Sequence, residues 1–135
     1  MNENEFWELI DKTRQQSKGD TDLQVKLLID TLSQKTFEEI FEYERIFYKL
    51  YTDSYKSDVW AMAYMINGGC SDDSFDYFRA WLIAQGKKYF ELFMKEPEIV
   101  VDETEQDLEY GECEYMIGVS RDAYTKKNNL FWGIR

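Results

Sequence analysis

Asn67-Gly68-Gly69-Cys70-Ser71-Asp72-Asp73-Ser74-Phe75, continuing as Asp76-Tyr77-Phe78-Arg79-Ala80-Trp81-Leu82-Ile83-Ala84-Gln85-Gly86, reads as a helix stop, a helix start and a helix. Paired glycines after an apolar run supply the left-handed residue on which helices end. Ser71 followed by two aspartates supplies an N-cap and first-turn acids that the positive end of the helix dipole favours. Beyond it Phe75, Phe78, Leu82 and Gln85 recur along one side of a helix, and Trp81 and Ala84 along another, until Gly86 ends or bends it.

The same period extends in both directions, with one proline in 135 residues to interrupt it. Toward the N-terminus, Val59, Trp60, Ala63, Tyr64 and Ile66 form an apolar stripe that Asn67 closes. Thr36-Phe37-Glu38-Glu39 has the form of a capping box, so a long helix starts at Phe37 and runs through Ile40, Phe41, Tyr43, Phe47, Leu50 and Tyr51. Its rings fall on more than one face, which predicts a central helix. Two further helices are predicted at Glu3–Gln16, capped by Asn2 with Glu5 at the box position, and at Thr21–Gln34, which carries Leu23, Leu27, Leu28 and Leu32, with Val25 and Ile29 widening the apolar face. Toward the C-terminus, Lys87–Lys95 reads as a short helix stopped near Pro97, and about Cys113–Lys127 as a last one with Met116, Val119 and Ala123 inward. The tail Leu130–Arg135 is apolar enough to dock or pair as a short extended piece. The fold expected is all-α: a single-domain irregular bundle of about six or seven helices, with a core over 1–97 and, packed on the same domain, an acidic segment plus C-terminal helix over 98–135.

Composition excludes much chemistry. There is no histidine, which removes Ser-His-Asp and Cys-His catalysis and the His-containing zinc sites. The two cysteines, Cys70 and Cys113, are too few for a four-thiolate metal site or a disulfide scaffold, and both read as structural thiols. The 27 acidic residues against 16 basic ones repel a phosphate backbone and anionic headgroups, so neither nucleic acid nor membrane is expected as a partner. The start Met1-Asn2-Glu3-Asn4-Glu5 has no signal-peptide pattern, and a cytoplasmic location with reduced thiols is expected.

Charge is distributed unevenly. Glu96 to Ser120 carries nine acidic residues and no basic one, hence nine of the eleven net negative charges, while the remainder is nearly balanced at 18 acids against 16 bases. Asp102, Glu103, Glu105, Asp107, Glu109, Glu112 and Glu114 from this stretch form a candidate surface for a basic partner, or a solvated segment that keeps the chain soluble. An EF-hand loop does not fit, because 102–107 lacks its turn glycine. The turn at Gly68 does not suit a phosphate either: Asp72 and Asp73 stand where the anion would sit. Arg79, between Phe78 and Trp81, is positioned to pair with Asp72, Asp73 or Asp76. Trp7, Phe41, Phe47, Trp60, Phe75, Phe78 and Trp81 are expected in the core, and the surplus of tyrosines suits an interface.

Glu5-Phe6-Trp7-Glu8-Leu9-Ile10, then Trp60 with Ala61 and Ala63, and above all the Gly-Gly-x-Ser-Asp-Asp-x-Phe turn with its Phe-Arg-x-Trp-Leu-Ile helix resemble the bacterial DUF4240 family over roughly the first hundred residues, to near Pro97. The resemblance implies a small helical protein without an established activity, and it marks Gly68, Gly69, Ser71, Asp72, Asp73, Phe75, Phe78, Arg79 and Trp81 as the family's characteristic turn and helix. No catalytic residue, cofactor or metal ligand comes with it. Two functions are therefore carried forward. The first is a non-enzymatic binding module, immunity- or antitoxin-like, that covers a basic partner. The second is a small-ligand or Mg²⁺-dependent carboxylate enzyme built on the Gly68–Phe75 turn with Asp72, Asp73 and Asp76, or on Glu38, Glu42 and Glu44.

Overall fold

A computed structural model describes residues 1–98 and 111–132. Their helices are α1 (Glu3–Ser17), α2 (Thr21–Ser33), α3 (Phe37–Asp53), α4 (Ser57–Asn67), α5 (Asp72–Ala84), α6 (Lys87–Lys95) and α7 (Val119–Trp132), with a 3₁₀ helix at Glu114–Gly118 before α7. No strand occurs among the described residues. The chain is thus the all-α, single-domain bundle that its periodicity predicts.

The helix starts follow from local chemistry. The Asn2 side chain accepts from the Glu5 N–H, and the Glu5 carboxylate accepts from the Asn2 N–H, each at 2.9 Å. Thr36 and Glu39 make the same reciprocal box on α3. Asp20 caps α2, and Ser71 caps α5.

The helix at the centre is α5, not α3. Phe75 is buried near its start, and after the half-buried Asp76 and Tyr77 the seven consecutive residues Phe78 to Ala84 are buried without a break. A helix buried on every side belongs inside the bundle. By contrast α3 buries only the stripe Ile40, Tyr43, Phe47 and Leu50, and Phe41, expected in the core, is 58% exposed. Phe41 instead stacks on Tyr124 of α7 at 5.9 Å between ring centroids, pinning two surface helices together.

Two other expectations are corrected. Leu23 lies outside, and its neighbour Gln24 takes the inward position on α2. There the Gln24 Nε2 donates to the carbonyls of Ile10, at 3.2 Å, and Ala84, at 3.0 Å, so one buried amide ties α2 to α1 and α5. At the C-terminal end, the inward residues Met116, Val119 and Ala123 are as expected, but the segment begins as 3₁₀ and becomes α-helical only at Val119. The helix runs on through Leu130 to Trp132 where an extended piece was expected, while 133–135 lie outside the described residues. Packed against α2 and α3, α7 closes one side of the bundle, and the 3₁₀ helix lies on α5.

Candidate functional site

The characteristic turn is built by backbone conformation. Gly68, at φ 70°, is the left-handed cap of α4, and Gly69, at φ 142°, donates its N–H to the Tyr64 carbonyl at 2.8 Å. A Cβ added to either would meet nothing within 4 Å, so these glycines answer to φ and not to a close neighbour. The Ser71 hydroxyl then accepts from the Ser74 N–H at 3.2 Å and opens α5.

The larger side chains of the motif serve the interior. Phe75 stacks on Trp60 at 4.6 Å, and the Trp60 indole N–H donates to the Cys70 carbonyl at 3.1 Å, which fastens the turn to α4. Phe78 and Trp81 are buried beneath Gly111, whose position leaves no slack: a Cβ there would stand 3.3 Å from both rings. Arg79 is only 4% exposed. Its Nη2 donates to Asp76 Oδ1 and its Nη1 to the Tyr51 carbonyl, both at 2.6 Å, and its guanidinium lies 4.0 Å from the centre of the Tyr51 ring. Of the three aspartates expected as partners, the structure selects Asp76. The Tyr51 carbonyl and ring were not foreseen, because nothing local in the sequence shows that the end of α3 meets the middle of α5.

The carboxylates proposed for metal or acid–base work do not converge. Asp72 and Asp73 are exposed at the start of α5, whereas Asp76 is held by Arg79. On α3, Glu42 pairs with the terminal amine of Met1, and Glu44 accepts from the Ser120 hydroxyl at 2.7 Å. Among the described residues no group of three or more Cys, Asp and Glu side chains is placed to hold a metal ion. Both thiols are pushed above their ordinary range: Cys70 by burial and then by the charge of Glu112, Cys113 by burial. Neither is a poised nucleophile.

Of the candidate acidic surface, Asp102, Glu103, Glu105, Asp107 and Glu109 lie outside the described residues, while Glu112 and Glu114 are placed. Three hydrogen bonds fix them. The Gly111 N–H donates to Asn67 Oδ1 at 3.0 Å, the Cys113 N–H to the Tyr77 carbonyl at 3.0 Å, and the Tyr77 hydroxyl to Glu114 Oε1 at 3.3 Å. The end of the acidic stretch is thereby bound to the characteristic turn and helix, two features that the sequence keeps apart. The joint field is felt by Tyr77: its phenol is pushed up by the charge of Glu114, then by partial burial and its hydrogen bond to Glu114, and further by Asp73 and Asp76. Beside it lies an open groove of about 600 Å³ lined by Tyr77, Glu114, Tyr115, Glu44, Arg121 and Asp122 among others, with Tyr115 largely exposed. No described helix is long and apolar enough to cross a membrane.

Comparison with known proteins places residues 1–126 in a match to the model of DUF4240, described as a protein of unknown function. The match passes Pro97, where the resemblance read from the residues stops, and takes in the 3₁₀ helix and part of α7. No curated protein and no solved structure matches the chain.

Proposed function

The chain belongs to the DUF4240 family, and from that premise we propose that it is a non-catalytic binding module that covers a basic partner protein. The observation that carries this reading is the meeting of Asp73 with Glu114 around Tyr77, with Tyr115 in the same groove and Glu112 close to Cys70 of the adjoining turn. Concentrated carboxylates steer a cationic protein toward the face that bears them, and tyrosines supply contact area with few rotatable bonds. In the sequence, the acid-rich stretch from Asp102 to Glu109 precedes Glu112 by two residues, Tyr110 and Gly111. The motif's own cation and its nearest carboxylate, Arg79 and Asp76, are engaged with each other, which favours an architectural role for them over a chemical one. An immunity or antitoxin protein masking a cationic toxin is one partnership of this chemistry.

The test is retention of a basic protein by the full chain at low ionic strength, compared with the variant Asp72→Lys, Asp73→Lys, Glu112→Lys, Glu114→Lys. The reading expects retention by the natural sequence, release by added salt, and loss in a variant whose helical circular dichroism is unchanged. A partner that is acidic, or one held equally well by the charge-reversed variant, refutes it.

A further inference from the structure

On the surface of the bundle, α4 carries the wrong pattern for an outer helix. Its eight residues from Val59 to Ile66 are all apolar, yet only Val59 and Ala63 are fully buried. An outer helix ordinarily turns charged and polar residues to solvent. Here the outer face is made by Trp60, Ala61, Tyr64 and Met65, which line a shallow depression of about 440 Å³; Tyr64 is 57% and Met65 66% exposed. Other exposed rings, such as Phe41 and Tyr124, cover one another, whereas this group forms a contiguous patch.

The position of the patch decides its occupant. The C-terminal end of α4 is joined to the acidic face through the Trp60 indole on the Cys70 carbonyl, the Gly69 N–H on the Tyr64 carbonyl and the Gly111 N–H on Asn67. Asp72 and Asp73 follow that turn immediately, and the charge of Glu112 is felt at Cys70. At the opposite end stands Lys56, and along the Ala61 side Lys95 lies among Asp58, Glu96 and Glu98. The patch is therefore an apolar area with a negative border on one side, which is the anatomy of a protein interface whose centre is dry and whose rim is charged.

We propose that this face of α4 is the apolar centre of the interface, and that it receives an apolar spot flanked by lysine or arginine on the basic partner protein. The inference rests on the function proposed above and adds to it the contact that holds the complex once charge has brought the partners together.

The test separates the two. The full chain is made in its host with photoreactive p-benzoylphenylalanine in place of Met65, and separately in place of Tyr115, and is irradiated. Expected is an adduct from both positions with the same protein of basic isoelectric point, lost from position 65 when Asp72→Lys, Asp73→Lys and Glu112→Lys are combined with it. That protein, purified, then binds the natural chain at least about tenfold more tightly than the Tyr64→Ala, Met65→Ala variant, with the salt dependence of binding unchanged. An adduct at 115 with none at 65 overturns the inference and leaves the acidic-face reading standing, and an adduct at neither overturns both. An adduct at 65 to a second copy, to another part of the same chain, or to a neutral or acidic protein also overturns it.

Discussion

Arg79 is a cation that the fold has taken almost wholly out of water, and its partners decide what their removal does. Asp76 neutralises it from a carboxylate that keeps 42% of its side-chain surface, while the Tyr51 carbonyl and ring hold the other side. Removing one member of a buried pair leaves the other charged and unsolvated, which costs several kcal/mol at full burial. Solvent at Asp76 reduces that figure. Asp76→Ala is expected to lower the free energy of unfolding by about 2 kcal/mol. The exposed pair Lys49–Asp53, with an N···O distance of 3.1 Å one helical turn apart, is the control, and Asp53→Ala is expected to cost under about 0.5 kcal/mol. Urea denaturation of the two variants decides the matter: equal losses would mean that the Arg79 pair is no more than a surface ion pair. That Arg79 pairs internally was legible, because it stands between Phe78 and Trp81 on an apolar side of its helix. Its second partner was not, because Tyr51 lies 28 residues away in sequence.

At the scale of the helix, ends were readable and faces were less so, for one physical reason. A cap is satisfied within four residues, so Asn2 with Glu5, Thr36 with Glu39, and Ser71 with Ser74 can be found in the sequence and are all present. A face is chosen by what lies opposite. On α3 and α2 the apolar positions outnumber those the neighbours can cover, and Phe41 and Leu23 are left outside while Gln24 goes in. The cap on α3 also makes a pH prediction. Glu39 titrates below its ordinary value of 4.5, chiefly because its carboxylate accepts the Thr36 N–H and, after a smaller opposing effect of desolvation, the Thr36 hydroxyl. A carboxylate whose folded pKa is depressed stabilises the fold above its unfolded pKa, and that contribution is lost as pH falls through the folded pKa. The stability gap between the natural chain and Glu39→Gln is therefore expected to be constant above about pH 6 and to shrink progressively in more acid solution, below about pH 4. Denaturation midpoints measured across that range test this, and a gap that stays the same at every pH would show that the charge on Glu39 contributes nothing to the cap.

For the molecule as a whole, the concentration of charge in Glu96 to Ser120 could be counted, but its position could not. Where Glu112 and Glu114 lie depends on where the chain meets the bundle at residue 111, and Gly111 settles that by binding Asn67 at the end of α4. The return sets Glu112 and Glu114 beside aspartates of α5, a repulsive arrangement within one folded body. A folded chain of this length has a radius of gyration of about 14 Å. Charges repel across that distance at about 0.01 M salt, where the screening length is about 30 Å, and are largely screened at 0.15 M, where it is about 8 Å. The exposed pairs Lys49–Asp53 and Lys126–Asp30 weaken as salt rises, but each is worth under about 1 kcal/mol, whereas the repulsion sums over a net charge of −11. Added sodium chloride is therefore expected to raise the urea midpoint over this range. The rise should diminish more in Glu112→Gln, Glu114→Gln than in Glu3→Gln, Glu8→Gln, which removes as much charge from the exposed side of α1. A midpoint that falls with salt would mean that attractive pairs outweigh the repulsion. Equal slopes in the two double variants would mean that the convergence at Tyr77 adds no strain of its own, and a basic partner would then relieve nothing by docking there.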